Sequence, residues 1–168
     1  MNVLQSFKQI NTFIFDMDGV LTDGSLLILE NGLMARRMNI KDGYSLQLAI
    51  KKGYRIIILS GSSCPYVTLR LNKLGITEIF MDVPDKKQFL SKYVFSNQLD
   101  LNSILYMGDD IPDLPAMKMV FLPCCPNDAV SEIKEVASYI SPVKGGSGCA
   151  RDVIEKVLKL NNQWETDI

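Results

Sequence analysis

Residues 12–24 read Thr12-Phe13-Ile14-Phe15-Asp16-Met17-Asp18-Gly19-Val20-Leu21-Thr22-Asp23-Gly24. The run Thr12 to Phe15 is apolar throughout, as a parallel strand covered on both faces requires. Asp16 and Asp18 follow at once, and Gly19 permits the sharp turn that takes the chain away from the strand. In an open α/β sheet, ligands bind beyond the carboxyl ends of the strands, where several loops converge. Residues i and i+2 of an extended chain point the same way, so the two carboxylates face one site about 7 Å apart along the backbone. Like charges so placed repel. The pair therefore implies a cation between or beside them, or one carboxyl group that is protonated and acts as an acid. Asp-Gly by itself is ordinary turn chemistry, but the pattern here is much longer than a turn.

Downstream of this stretch, two short extended runs, 25–29 and 34–40, are joined across Glu30-Asn31-Gly32, a tight-hairpin signal, and predict a small flap over about 25–40. Asp42 reads as the N-cap of a helix running to about Lys52, which Gly53 closes. The β-branched run 54–59 predicts a second core strand, followed by Ser60-Gly61-Ser62-Ser63 and a helix from Pro65 to Leu74. The alternation continues with a strand at 78–81, a helix at 86–95, a strand at 103–107, a helix at 111–118 and a strand at 120–122. A helix at 128–136, a short strand near Tyr139 and a helix at 150–160 complete it. Strands alternating with helices mean a parallel sheet. The expected fold class is α/β, a doubly wound Rossmann-like parallel sheet forming a single domain over 1–168, with a C-terminal tail at about 144–168.

Polar residues cluster at the strand ends. Ser60 and Gly61 could offer a hydroxyl and backbone N–H groups to a phosphate oxygen at the next helix. Gly108-Asp109-Asp110 with Asp113 brings three carboxylates within six residues, more than helix capping needs. Set against Asp16 and Asp18 they form an acidic pocket, and oxygen-only ligands suit Mg²⁺ rather than zinc or copper. Lys86 opens a helix, where the macrodipole is already positive, and so calls for an anion.

Composition bounds the remaining possibilities. The chain has 168 residues, 47% hydrophobic and 22% charged, with a net charge of -1. That suits one domain with a full core and offers no basic surplus for nucleic acid or for an anionic membrane surface. There is no apolar run of membrane-spanning length and no secretory leader pattern, so a cytoplasmic protein is expected. Cysteines 64, 124, 125 and 149 form no CxxC pair and read as reduced thiols. Histidine is absent, which removes Ser-His and Cys-His catalysis and leaves carboxylates, lysine and metal to carry the chemistry.

The segments DMDGVLTDG, LSG, DK and GDDIPD, in this order and spacing, resemble the haloacid-dehalogenase-like phosphatases over nearly the whole chain. The resemblance implies that Asp16 attacks phosphorus, that Asp18 handles protons, and that Lys86 holds the nucleophile and the phosphate. It further implies that Mg²⁺ is bound by Asp16, the main-chain carbonyl of Asp18 and Asp109. More narrowly, the short flap in place of a cap domain, Asn39-x-x-Asp42-Gly43, the GDD-x-x-D motif and the segment Lys144 to Asp152 resemble the 3-deoxy-D-manno-octulosonate 8-phosphate (KDO 8-phosphate) phosphatases. In that family four subunits assemble with flaps at the centre, which implies a homotetramer whose glycine-rich tail, with Lys144 and Arg151, helps complete a neighbour's site. The chain departs from the family at Ser62, where an arginine is usual. Relatives acting on nine-carbon sialic-type sugar acids have glutamate there with basic residues on the next helix, comparable to Arg70 and Lys73. That keeps a nine-carbon sugar acid phosphate as an alternative substrate. A phospho-aspartate receiver, a signalling module of similar fold, is the alternative of a different class, although receivers carry their acidic pair as adjacent residues after the first strand.

Overall fold

The computed structural model describes residues 3–164. In chain order its elements are α1 (Val3–Lys8), β1 (Thr12–Phe15), β2 (Leu27–Ile28), β3 (Met34–Ala35), α2 (Ile40–Lys51), β4 (Arg55–Leu59), α3 (Pro65–Lys73), β5 (Glu78–Phe80), α4 (Lys86–Ser96), β6 (Ile104–Met107), α5 (Leu114–Met117), β7 (Leu122–Cys125), α6 (Ser131–Val136), β8 (Tyr139–Ile140) and α7 (Cys149–Leu160). Six strands form one sheet in the order β5-β4-β1-β6-β7-β8, and every pairing in it is parallel. β1 lies between β4 and β6, with Phe15 opposite Ile58 on one side and Met107 on the other. Strand alternation splits the core into two layers. Phe13 and Phe15 pack with residues of α2 and α7 on one face, and Ile14 packs with residues of α4, α5 and α6 on the other. α7 shows why such helices form: Ala150, Val153, Ile154, Val157 and Leu158 are buried, the i, i+3, i+4, i+7, i+8 stripe of a helix laid against a core. No helix among the described residues is long and apolar enough to cross a membrane.

Several boundaries differ from the sequence expectation. The flap ladder is only Leu27 opposite Ala35 and Ile28 opposite Met34, because beyond Ala35 the chain turns Arg36 onto Asp18 and Arg37 onto Asp23. The N-cap of α2 is Asn39, whose side chain accepts the Lys41 N–H at 2.8 Å. Asp42 instead turns inward from the first turn and accepts the Arg151 N–H at 2.7 Å. The helix expected at 111–118 is a 3₁₀ turn over Ile111–Asp113 followed by the short α5. The strand expected at 120–122 lies at 122–125, where Pro123 leaves its carbonyl free to accept the Ser138 N–H. α1 was not expected, since six residues are too few to show a period. Residues 165–168 of the proposed tail lie outside the described residues.

Candidate active site

The carboxyl ends of β1, β4 and β6 open onto a cavity of about 280 Å³ lined by Asp16, Asp18, Ser60, Gly61, Ser62, Lys86, Asp109 and Asp113, among others. The turn after β1 is closed by the Thr22 N–H donating to the Met17 carbonyl at 3.0 Å. Gly19 sits in it with φ +86°, a left-handed conformation that suits glycine. The missing side chain matters as much as the angle: a Cβ on Gly19 would lie 1.9 Å from Asp109 Oδ2. Glycine is thus what lets the carboxylates of two neighbouring strand ends converge. Gly108 does the same for Asp113, whose Cβ would be 2.5 Å from one built there.

Asp113 organises the floor of the cavity. Its Oδ1 accepts from Lys86 Nζ at 2.6 Å and from the Tyr106 hydroxyl at 2.8 Å, and its Oδ2 accepts the Asp109 N–H at 3.1 Å. Lys86, rather than Lys87, points inward: its side chain is buried and also reaches Asp16 Oδ1 at 2.9 Å. Burial would lower the lysine's pKa, but the charges of Asp113 and Asp16 outweigh it and raise it. Burial, then the charge of Asp113, pushes Asp16 up to about 7 against the pull of Lys86. Burial, then the charges of Asp16 and Asp113, pushes Asp109 to about 8. With one lysine among them, these carboxylates are short of positive charge.

A divalent cation fits that deficit. Oxygens of Asp16, Asp109 and Asp113 lie within 4.8 Å of one another. Asp109 Oδ1 is buried without a hydrogen-bond partner, an arrangement that is costly unless a ligand completes it. The lone pairs of Asp113 are spent on Lys86, Tyr106 and backbone N–H groups, so Asp16 and Asp109 are the carboxylates left to bind metal. An all-oxygen donor set suits Mg²⁺.

Asp18 differs from the expectation of a protonated acid. Burial alone would raise its pKa, but hydrogen bonds from Arg36 and Ser62, the Arg36 charge and Thr22 hold it below the ordinary carboxylate range. Arg36 grips it with two prongs, Nε to Oδ1 at 2.7 Å and Nη2 to Oδ2 at 3.2 Å, and the Ser62 hydroxyl donates to Oδ2 at 2.7 Å. Donors that favour the charged form keep it charged. Ser60 is buried, its Oγ accepting the Ser62 N–H at 3.2 Å. Arg36 was not singled out in the sequence, although it is a cation beside the apolar Met34-Ala35 strand of the flap, and neither was Tyr106.

The remaining candidates lie apart from the acidic cavity. Arg70 lines a second, larger cavity between the flap and α3. Lys73 is exposed on the last turn of α3. Arg151 does not line the acidic cavity of its own chain. Its guanidinium bonds Glu155 at 3.1 Å, one helical turn on, and lies 5.3 Å from the Trp164 ring centroid. Gly145 and Gly146 of the glycine-rich tail lie close against the turn after β1 of their own chain. A Cβ on Gly145 would lie 1.9 Å from the Gly19 carbonyl oxygen, and the Gly146 N–H donates to the Val20 carbonyl at 2.9 Å.

No family model matches the chain. The 3-deoxy-D-manno-octulosonate 8-phosphate phosphatase of Yersinia pestis is 29% identical over 164 residues, covering 98% of this chain and 88% of that protein. The crystal structure of the enzyme of the same name from Moraxella catarrhalis, in complex with magnesium, phosphate and KDO, matches with a TM-score of 0.91 at 31% identity, covering 95% of this chain and 92% of that one. The cobalt-bound deoxy-D-mannose-octulosonate 8-phosphate phosphatase of Haemophilus influenzae matches with a TM-score of 0.90 at 26% identity, covering 96% of both chains.

Proposed function

The chain belongs to the KDO 8-phosphate phosphatase family of haloacid-dehalogenase-like hydrolases, and from that membership we propose that it hydrolyses 3-deoxy-D-manno-octulosonate 8-phosphate to KDO and phosphate with Mg²⁺ as cofactor. The observation that carries the proposal is the meeting of Asp16, Lys86 and Asp109 in one cavity, together with a buried Asp109 oxygen that lacks a partner. In the proposed reaction an Asp16 carboxylate oxygen attacks phosphorus in line, and the bond from phosphorus to the sugar oxygen breaks. Asp18 is charged while Arg36 grips it, so it acts as the acid once Arg36 lets go and it has taken up a proton from solvent; it passes that proton to the departing oxygen, then takes one from the water that hydrolyses the aspartyl phosphate. Lys86 holds Asp16 in place and faces the phosphate with its charge. Ser60 and Gly61 close the opposite wall with hydroxyl and backbone donors. Magnesium, held by Asp16, Asp109 and the main-chain carbonyl of Asp18, would neutralise phosphate oxygens when bound.

The assembly is proposed to be a homotetramer, and the protein cytoplasmic. The flap supports self-association: Leu27 and Ile28 are 64% and 72% exposed, and Leu26, Leu29, Leu33 and Met34 beside them are exposed as well, an apolar patch of the kind that marks an interface. Four free, buried cysteines are consistent with a reducing compartment. Light scattering reads the assembly directly, and a monomer contradicts the tetramer.

The substrate is tested by a panel assayed with Mg²⁺: KDO 8-phosphate, a nine-carbon sugar acid 9-phosphate and hexose 6-phosphates. The expected result is a kcat/KM for KDO 8-phosphate at least about tenfold above every other member, a difference of about 1.4 kcal/mol. Preference for the nine-carbon acid moves the assignment to that substrate, and equal turnover of all members makes the chain a general phosphatase.

A further inference from the structure

The acidic cavity adjoins a larger groove of about 630 Å³ between the flap and α3, whose lining includes Leu33, Met38, Cys64, Tyr66, Arg36 and Arg70. Asp18 and Ser62 line the acidic side, and Arg36 lines the groove while it grips Asp18. The pair is therefore the partition between the two spaces. A phosphate monoester with its phosphorus at Asp16 and its leaving oxygen toward Asp18 has to extend its sugar past that partition and into the groove.

A sugar acid carries a carboxylate into a largely apolar setting, where an anion is costly unless a cation meets it. Lys86 stands at the phosphate end and is shared by Asp16 and Asp113. Arg151 is paired with Glu155. Arg36 and Arg70 remain along the groove, and they differ: Arg70 is exposed, whereas the Arg36 side chain is only 6% exposed and already presents its fork to a carboxylate. A guanidinium held in a two-pronged geometry is matched to a carboxylate in shape as well as in charge.

We propose that Arg36 is the specificity-determining residue for the substrate's carboxylate, passing from Asp18 to the sugar acid as the flap settles over it; this rests on the function proposed above. Two features make the exchange feasible. Asp18 keeps the Ser62 hydroxyl at 2.7 Å and the Thr22 hydroxyl at 3.3 Å when Arg36 leaves, so it is not stranded. The two flap strands pair only with each other, and the base of the flap meets the turn after β1 through one isolated bridge, Thr22 opposite Met38, so a shift of the flap leaves the main sheet intact.

The test compares kcat/KM for KDO 8-phosphate with that for glucose 6-phosphate, which has a sugar and a phosphate but no carboxylate, in the parent, Arg36→Ala and Arg36→Lys. The ratio of the two is expected to fall at least about tenfold in Arg36→Ala, equivalent to about 1.4 kcal/mol, with the change carried by KM for KDO 8-phosphate. Arg36→Lys, which keeps the charge and loses the fork, is expected to fall between the two. A parent without preference for KDO 8-phosphate removes the proposed function and this inference with it. A selective parent whose ratio survives Arg36→Ala leaves the function standing and overturns the role of Arg36. If Arg36→Ala does not fold, an unchanged ratio in Arg36→Lys overturns it equally.

Discussion

Gly19 and Gly108 are residues whose lack of a side chain is chemistry: each leaves the space that an aspartate from the same cavity occupies. Gly108 stands beside the Asp113 it serves, within the one motif GDDxxD, whereas the sequence shows Gly19 only as a turn glycine, because the Asp109 it makes room for lies at the end of another strand. Arg36 was not legible, since its partner Asp18 lies 18 residues away across a turn and a hairpin. The crowding of carboxylates has a measurable consequence. Asp16 and Asp109, raised to about 7 and about 8 without metal, hold protons in the folded state that the unfolded chain releases near its ordinary carboxylate pKa of 3.8. The metal-free protein therefore loses stability as pH rises from about 4 to about 8. Metal needs the ionised groups, so binding displaces those protons and tightens over the upper part of the same window. Calorimetric titration with Mg²⁺ is expected to give a Kd at least about tenfold tighter at pH 8 than at pH 6, with proton release at the lower pH. A Kd independent of pH, with no proton released, contradicts this account of the cluster.

Among the elements, β7 lies two to three residues later than expected, whereas β1, β4, β5 and β6 agree with the sequence reading within one residue, because a parallel strand buried on both faces is a continuous apolar run. Its neighbours in the sheet do not have to be known for that run to be seen. The flap and the tail were read less well, since their structure depends on distant contacts. Arg36 and Arg37 end the hairpin early by pairing with Asp18 and Asp23, and the sequence does not announce such pairs. The glycines at 145 and 146, in the tail expected to help complete a neighbour's site, press on the turn that carries Asp18 in their own chain, a contact that nothing in the sequence announces. Asp42 fixes the start of α7 just beyond them by accepting the Arg151 N–H. This predicts that Gly145→Ala, whose new Cβ would meet the Gly19 carbonyl oxygen at 1.9 Å, shifts the turn. Overpacking of this kind costs about 1 to 3 kcal/mol, a fall in Tm of roughly 5 °C for a chain of this size. Misplacement of Asp18 is expected to lower kcat on the order of tenfold or more. Thermal melts and steady-state rates on the same preparation check both, and an unaltered kcat in a destabilised variant makes the segment a strut alone.

In the molecule as a whole, the order of the sheet brings the ends of β1, β4 and β6 together, and sequence alternation was enough to predict a parallel sheet whose strand ends converge. What it could not supply is which loops lean across that convergence. Lys86 reaches Asp16 and Asp113 from the head of α4, a placement set by the packing of α4 on one face of the sheet. The proposed reaction requires Asp16 to be the group that takes the phosphoryl. The direct measurement is turnover of KDO 8-phosphate by the Mg²⁺-loaded parent and by Asp16→Asn, joined to mass spectrometry of the acid-quenched parent. The prediction is a loss of at least about a thousandfold in kcat for Asp16→Asn and a phosphoryl group on Asp16 in the quenched parent. A variant that keeps its rate within about tenfold of the parent, or a phosphoryl group found on another residue, contradicts it.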